Sequence, residues 1–358
     1  MKRIALKKVR ANAVHCYLLL AFVAMAGLSY VNYLPMVVNA LADGIGFNSA
    51  EAGQIVAFNG YGGLIGCLVA VFLVDRINWR AALLFLLIVL FVLDLSTNRV
   101  LDYNVMLVWR FAAGALGGLC VGIGISALAK LQNPDRAFGL LLFVQFTLGA
   151  VVIYLLPNLE LQLDSYAVFY VMAGITLTSF VFLLFLPTLL TDKQICQIKK
   201  APIKINKHGF LLLLAIVCYQ TAAYAIWGYV GLIGSVAQID ADSINTYIAT
   251  TGLLGLLGAL IPAVTGERFG RLFWLVVGII FSIIAAVLLN NTTLSPTKYV
   301  MAIALLFLSW PAVLSYLLAT TAQLDNSGRL STIANLMAFA SMGFGPQLAA
   351  LLSDEASF

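Results

Sequence analysis

Charge is what this sequence has least of. Only 10% of its 358 residues are Asp, Glu, Lys or Arg, against about 25% in a soluble domain. Histidine is nearly absent, with only His15 and His208, which argues against a histidine-based catalytic or metal centre. The five cysteines, Cys16, Cys67, Cys120, Cys196 and Cys218, include no pair at metal-ligand spacing. Free thiols without disulfides are expected, and no cofactor or metal. No nucleophile–base constellation is present, which argues against an intramembrane enzyme. A formal charge of +5 is too small to point to nucleic acid.

What is abundant is apolar surface. Hydrophobic residues make up 62% of the chain and the mean hydropathy is +1.01. A water-soluble fold of this length cannot hide so much, so the solvent is lipid. A helix needs about 20 apolar residues to cross the hydrocarbon. Eleven such runs occur, at 15–38, 50–74, 81–97, 104–128, 137–157, 166–190, 209–235, 244–265, 272–290, 298–320 and 330–352. Asn48 and Glu51 have capping-box spacing before the second, Asp242 and Ser243 precede the eighth, and Pro134 precedes the fifth. The basic start and Ala24-Met25-Ala26 also resemble a cleaved signal. Against this, the first run continues through Val38 and belongs to the repeat below.

Every second link is basic: the arm with Lys2, Arg3, Lys7, Lys8 and Arg10, then Arg76 and Arg80, Lys130 and Arg136, the lysine-rich run 191–208, Arg268 and Arg271, and Arg329. The alternate links carry the acids, among them Asp43, Asp102, Glu160 and Asp240. This alternation predicts a cytoplasmic N-terminus and, with eleven spans, a C-terminus outside.

The chain also repeats itself. GLIGCLVAVFLVDRINWR begins at Gly63 and GLLGLLGALIPAVTGERFGR at Gly255, an offset of 192 residues. The same offset sets Asp75-Arg76 on Glu267-Arg268 and, with one deletion, Arg80 on Arg271. Arg136 aligns with Arg329, Gly149 with Gly343 and Tyr30 with Tyr224 at nearly that offset. The expected organisation is an all-α polytopic membrane protein. It has an N-terminal six-helix bundle (1–190), a basic cytoplasmic linker (191–208) and a C-terminal five-helix bundle (209–358). Parallel repeats of this kind are a transporter architecture, in which two bundles rock about a midplane site.

These features resemble the major facilitator superfamily over nearly the whole chain. Its signature between the second and third helices is matched by Asp75, Arg76 and Arg80, while Val71, Asn78 and Trp79 depart from it. The second copy keeps Glu267, Arg268, Gly270 and Arg271. Its fourth-helix signature is matched by Leu107, Arg110 and Gly114, with Ala113 in place of Gln. LSYVNYLPMV followed by NSAEAGQIVAFNGYGGLIG looks like the YbfB/YjiJ-type branch. The resemblance implies a two-bundle fold in a bacterial cytoplasmic (inner) membrane. The implied function is transport of a small organic solute by alternating access, with efflux as one direction and protons as one coupling partner. Family members usually have twelve spans, and by the offset a twelfth helix falls beyond Phe358. A truncated chain, a shortened natural chain and a partner-supplied helix all stay open. The last keeps alive a second reading, a non-transporting membrane sensor or assembly subunit.

A charge in hydrocarbon costs at least about 2.5–3.5 kcal/mol. Arg110 and Asp94 lie at similar depth in the fourth and third spans and are joined by a short hairpin. Either Arg110 faces the cavity and binds an anionic group or tunes a proton site, or the two form a structural pair. No other carboxylate is expected to be buried, which leaves proton coupling open. The resemblance implies a cavity lined by the first, fourth, seventh and tenth helices, with help from the second, fifth, eighth and eleventh. Gln220, Tyr224 and Trp227 share one helix face. With Tyr30, Asn32, Tyr33, Asn59, Gln145, Thr250, Thr251, Trp310, Tyr316 and Asn335 they are the ligand candidates, against a plain role in interhelical bonding. Asp75, Arg76, Arg80, Glu267, Arg268 and Arg271 read either as gate latches or as orientation signals. Gly114, Gly117, Gly118, Gly122 and Gly124 are expected to let the fourth span pack closely, and Pro35, Pro262, Pro311 and Pro346 to weaken helices.

Overall fold

The computed structural model describes residues 13–32, 37–38, 40–186, 206–290 and 294–355. Tyr33, Pro35, Cys196, the N-terminal arm and most of the basic linker lie outside these. The described residues form helices throughout: α1 (Val14–Ala26), α2 (Ser29–Asn32), α3 (Ser49–Leu73), α4 (Trp79–Leu95), α5 (Tyr103–Ala129), α6 (Pro134–Leu163), α7 (Ala167–Phe185), α8 (Lys207–Val236), α9 (Ala241–Gly252), α10 (Leu254–Thr265), α11 (Arg271–Leu289), α12 (Pro296–Leu324) and α13 (Arg329–Glu355). Nine stretches among the described residues are long and apolar enough to cross a membrane, and Val14–Ala26 is a shorter apolar helix.

The predicted start signals act locally. Asn48 and Glu51 form a reciprocal capping box, each side chain bonding the other's backbone N–H. Pro134 is the first residue of α6. The eighth span is capped by Asp240, whose carboxylate accepts from the Ser243 N–H, two residues earlier than expected. Two spans expected as single helices are broken: the first turns at Gly27–Leu28, and the eighth is interrupted at Leu253.

The chain divides into two compact units. One comprises Met1–Gln132, Val144–Ile203 and Asp325–Ile333, the other Asn133–Phe143, Lys204–Leu324 and Ala334–Phe358. The division differs from the expected 1–190 and 209–358 bundles at two helix starts. α6 begins in the second unit and continues in the first, and α13 does the reverse.

The first unit is built around α5, whose span is 72% buried. A Cβ at Gly114 or Gly118 of α5 would run into the carbonyl oxygens of Asn59 and Gly63 of α3. One at Gly62 or Gly66 would run into those of Phe111 and Ala115. Each helix thus offers two glycines four residues apart, and the backbones meet without side chains between them. In lipid, where apolar surface gains nothing by leaving the solvent, such van der Waals contact drives helix association. α7 packs on α4 and α1.

The second unit packs α10 and α11 on α12. Gly258 of α10 meets the Leu308 carbonyl of α12. Tyr299 is fully buried among Ile244, Leu289, Ile303 and Leu306 and donates to the Val230 carbonyl at 3.0 Å. α11, the repeat counterpart of α4, is only 17% buried.

Candidate functional site

Each unit encloses a polar cluster inside apolar helices. In the first, Arg110 of α5 is 1% exposed. Its Nη1 donates to Asp94 Oδ1 of α4 at 3.0 Å and to Thr97 Oγ1 at 3.2 Å, and its Nη2 reaches Asn59 Oδ1 of α3 at 3.4 Å. Tyr30 of α2 and Phe169 of α7 bracket the guanidinium, with ring centroids 5.1 and 5.0 Å from Cζ. The hairpin expected to bring Asp94 to Arg110 does so, and four further residues complete the shell. Thr97 and Phe169 carried no signal in the sequence, because an apolar ring and a loop threonine look like packing and solvent-facing turn. Among the described residues, neither the Tyr30 hydroxyl nor Arg110 Nε has a hydrogen-bond partner.

Beside this cluster, Gln145 Nε2 of α6 donates to Asn32 Oδ1 at 3.0 Å, and Asn32 Nδ2 reaches Met25 Sδ at 3.3 Å. One hydrogen bond thus joins the two amides, the kind of interhelical bond that keeps polar groups tolerable in lipid.

In the second unit Gln220 of α8 is 1% exposed and accepts from the indole N–H of Trp310 on α12 at 2.8 Å. Tyr224, one turn on, stands edge-to-face on Trp310 at 4.9 Å, and Trp227 stands likewise on Phe307 at 5.2 Å. α12 thus covers Gln220 and meets Tyr224 and Trp227 through ring contacts, while Trp227 stays exposed. Asn335 is half-buried on α13. Thr250 and Thr251 turn back onto carbonyls of their own helix, and Tyr316 bonds Thr265 and the Gly266 carbonyl.

Among the described residues, the basic ends of the helices hold three ion pairs. In the first unit Asp75, just past α3, pairs with Arg329, the first residue of α13. The turn before α13 is shaped by Asp325, which accepts from the Ser327 and Leu330 N–H groups at 2.9 and 2.8 Å. Gly328 follows at φ 81°, against Ser126 of α5. Thr332 then donates to the Gly122 carbonyl at 3.2 Å. Burial pushes the Asp75 carboxyl above its ordinary range, against the pull of Arg329 and Lys130, with Asp325 pushing further up. Burial likewise lowers Lys130, against the pull of Asp75 and Asp325.

In the second unit Arg271, at the start of α11, holds Asp135, the second residue of α6, through both carboxylate oxygens and reaches Glu267 at 2.9 Å. Arg136 Nε donates to the Ala263 carbonyl at 3.3 Å. These bonds tie the start of α6 to α10 and α11, where Gly139 also packs on Ala259 and Ala263.

The expectation that no carboxylate besides Asp94 is buried is corrected here: Asp75 is 6% exposed and Asp135 0%. Both sit at helix ends, where position in an apolar run gives no hint of burial. Arg80 differs from the other latch candidates. It donates to the Leu184 and Leu186 carbonyls at the end of α7, at 2.8 and 2.5 Å, a bond within its own repeat. Arg76 and Arg268 are exposed.

No curated protein sequence matches the chain. Among solved structures, the human organic anion transporter MFSD10 (TETRAN) superposes with a TM-score of 0.72 at 14% identity, over 95% of this chain and 92% of that one. A variant of the E. coli fucose:proton symporter FucP gives 0.67 at 15% identity, over 96% and 92%. The proton:xylose symporter XylE bound to 6-bromo-6-deoxy-D-glucose gives 0.62 at 13% identity, over 97% and 89%. These likenesses establish the fold. The Major Facilitator Superfamily model matches residues 17–346, and the chain therefore belongs to that superfamily of secondary transporters.

Proposed function

We propose that this transporter moves a small organic solute by alternating access, using the polar clusters of both units as its binding groups. One observation carries the reading. Each unit keeps costly polar residues buried inside membrane helices, Arg110 with Asp94 and Asn59 in one and Gln220 with Trp310 in the other. In lipid such groups are retained where they serve a path for solute or ions.

Asp75–Arg329 and Arg271–Asp135 are the latches of this cycle. They hold α13 and α6 by their first turns, and each of these helices runs on into the other unit. The alternation of basic links supports a cytoplasmic N-terminus and an external end after α13. Placement in the bacterial inner membrane and in the YbfB/YjiJ branch rests on the sequence resemblance. Efflux is the direction we favour.

A second reading, a sensor or assembly subunit, is favoured by the apolar face of α11, where Phe273, Ile280 and Ile283 are exposed. In the first unit the counterpart α4 is covered by α7, so this face suits a further apolar helix.

Counterflow in liposomes separates the two. A preloaded solute that drives uptake of its labelled form, lost in Gln220→Ala, supports transport. Folded protein without exchange of any solute in a broad panel favours the sensor.

A further inference from the structure

The guanidinium of Arg110 is used on one side only. Nη1 carries the bonds to Asp94 and Thr97. The opposite edge, Nε with Nη2, has one long contact of 3.4 Å to Asn59 and, among the described residues, no partner at Nε. The same edge of Arg271 holds a carboxylate by two bonds of 2.6 and 2.7 Å. That edge matches the two oxygens of a carboxylate in spacing and plane. A merely structural buried pair is expected to have its donors saturated, because an unsatisfied buried N–H costs more than a made bond returns. Here a second buried donor, the Tyr30 hydroxyl, is also without a partner among the described residues, and its ring lies on the guanidinium.

Charge then decides what can enter. Asp94 and Arg110 are each 1% exposed and cancel one another. The ionisable groups acting on Asp94 are Arg110 of α5 and Tyr30 of α2. Asn59 of α3 and Phe169 of α7, which pack on the cluster, carry no charge. An anion added alone leaves a net negative charge buried in a low dielectric. An anion added with one proton leaves the cluster neutral.

We propose that the Nε–Nη2 edge of Arg110, with the Tyr30 hydroxyl, binds the carboxylate of an organic acid, and that Asp94 takes up one proton from solution in the same event. No covalent bond to the solute forms or breaks. The proton adds to a carboxylate oxygen of Asp94, and the solute carboxylate accepts from Arg110 and Tyr30. The inference rests on the transport reading and names its substrate class.

Isothermal titration of the purified full-length protein with butyrate and benzoate, in buffers of different ionisation heat, counts the protons directly. One proton taken up per carboxylate is expected, with affinity falling about tenfold per pH unit as pH rises. Asp94→Asn binds at all pH values without proton uptake. Arg110→Gln does not bind, and Tyr30→Phe weakens binding about two- to tenfold.

Binding without proton uptake, equal binding of butyramide, no carboxylate binding between pH 5 and 8, or a folded Asp94→Asn that fails to bind overturns the proposal. Should Asp94→Asn not fold, the wild-type proton count decides alone. Counterflow of a neutral solute by a protein that ignores carboxylates leaves the transporter reading standing and removes this one. Loss of counterflow with carboxylate binding intact does the opposite.

Discussion

Arg271 grips Asp135 side-on, Nε to one carboxylate oxygen at 2.6 Å and Nη2 to the other at 2.7 Å, with Asp135 fully buried. At the repeat-related site the polarity is reversed. There the link after α3 supplies the acid, Asp75, and the helix start supplies the base, Arg329. Corresponding link and helix start thus reach the same end, a helix start held by an ion pair, through residues that are not one another's repeat counterparts, since Asp75 aligns with Glu267 and Arg329 with Arg136. The two pairs should therefore answer differently to substitution and to pH.

Asp135→Ala strips a buried partner from Arg271. Breaking such a pair costs about 3–5 kcal/mol, and Glu267, which stays within reach of Arg271, should reduce the loss to about 2–3 kcal/mol. Thermal unfolding in detergent measures it. Arg271→Lys should fall between wild type and Asp135→Ala, because an ammonium keeps the charge and forfeits the fork. Equal loss in both variants would mean that the retained charge contributes nothing without the fork, and no loss in Arg271→Lys would mean that the fork contributes nothing.

Gly328 takes φ 81°, and a Cβ there would lie 2.5 Å from Ser126 Oγ and 2.8 Å from its carbonyl oxygen. Strain and collision act together in Gly328→Ala, which should cost about 1–3 kcal/mol. Ser126→Gly in the same chain removes the Oγ but not the backbone, so it should rescue only part. Full rescue would place the whole effect on the serine side chain.

The Asp75 carboxyl is raised above its ordinary 3.8 by burial. A raised acid favours the folded form fully below its unfolded value, and that contribution fades as pH rises through the folded value. Lys130, lowered by burial from 10.5, works from the other end. Its contribution is present above the unfolded value and fades as pH falls through the folded one. This end of the first unit should thus be weakest between the two shifted values. The Tm difference between wild type and Asp75→Asn reports the acid limb. It should change as pH rises from 3.8 through the raised value and level off above it. A difference that stays flat from pH 4 to 8 would contradict the burial.

Gln220 Oε1 is the acceptor for the Trp310 indole N–H. Gln220→Ala leaves that donor unmet and should destabilise by about 1–3 kcal/mol, while Trp310→Phe keeps the ring contact with Tyr224 and removes the donor altogether. The double variant Gln220→Leu with Trp310→Phe should be more stable than Gln220→Ala. Thermal unfolding ranks the three, and a double variant no better than Gln220→Ala would deny the bond its importance.

Much of this was readable without coordinates. Apolar run length located the spans, because hydrocarbon imposes one length on every crossing helix. The glycines of the fourth span announced close packing, and Gly114 and Gly118 do meet α3 backbone. Asp94 and Arg110 were visible as a pair because two rare charges lay at one depth on a hairpin. Burial of Asp75 and Asp135 was not readable. Both lie next to turns, where a charge is ordinarily solvated, and only the docking of another helix start removes the water. Nor was the role of Arg80, whose bonds to Leu184 and Leu186 join positions about a hundred residues apart in the chain.

Composition and span length by themselves determined that the protein is a bundle of membrane helices, since lipid permits few alternatives to a satisfied helix. Which side of the Arg110 guanidinium is occupied, which helix start is pinned to which unit, and the opposite polarity of the two pins were decided only by tertiary packing. Hydrogen-bond direction and desolvation depend on neighbours brought together in space, and their order along the chain does not encode them.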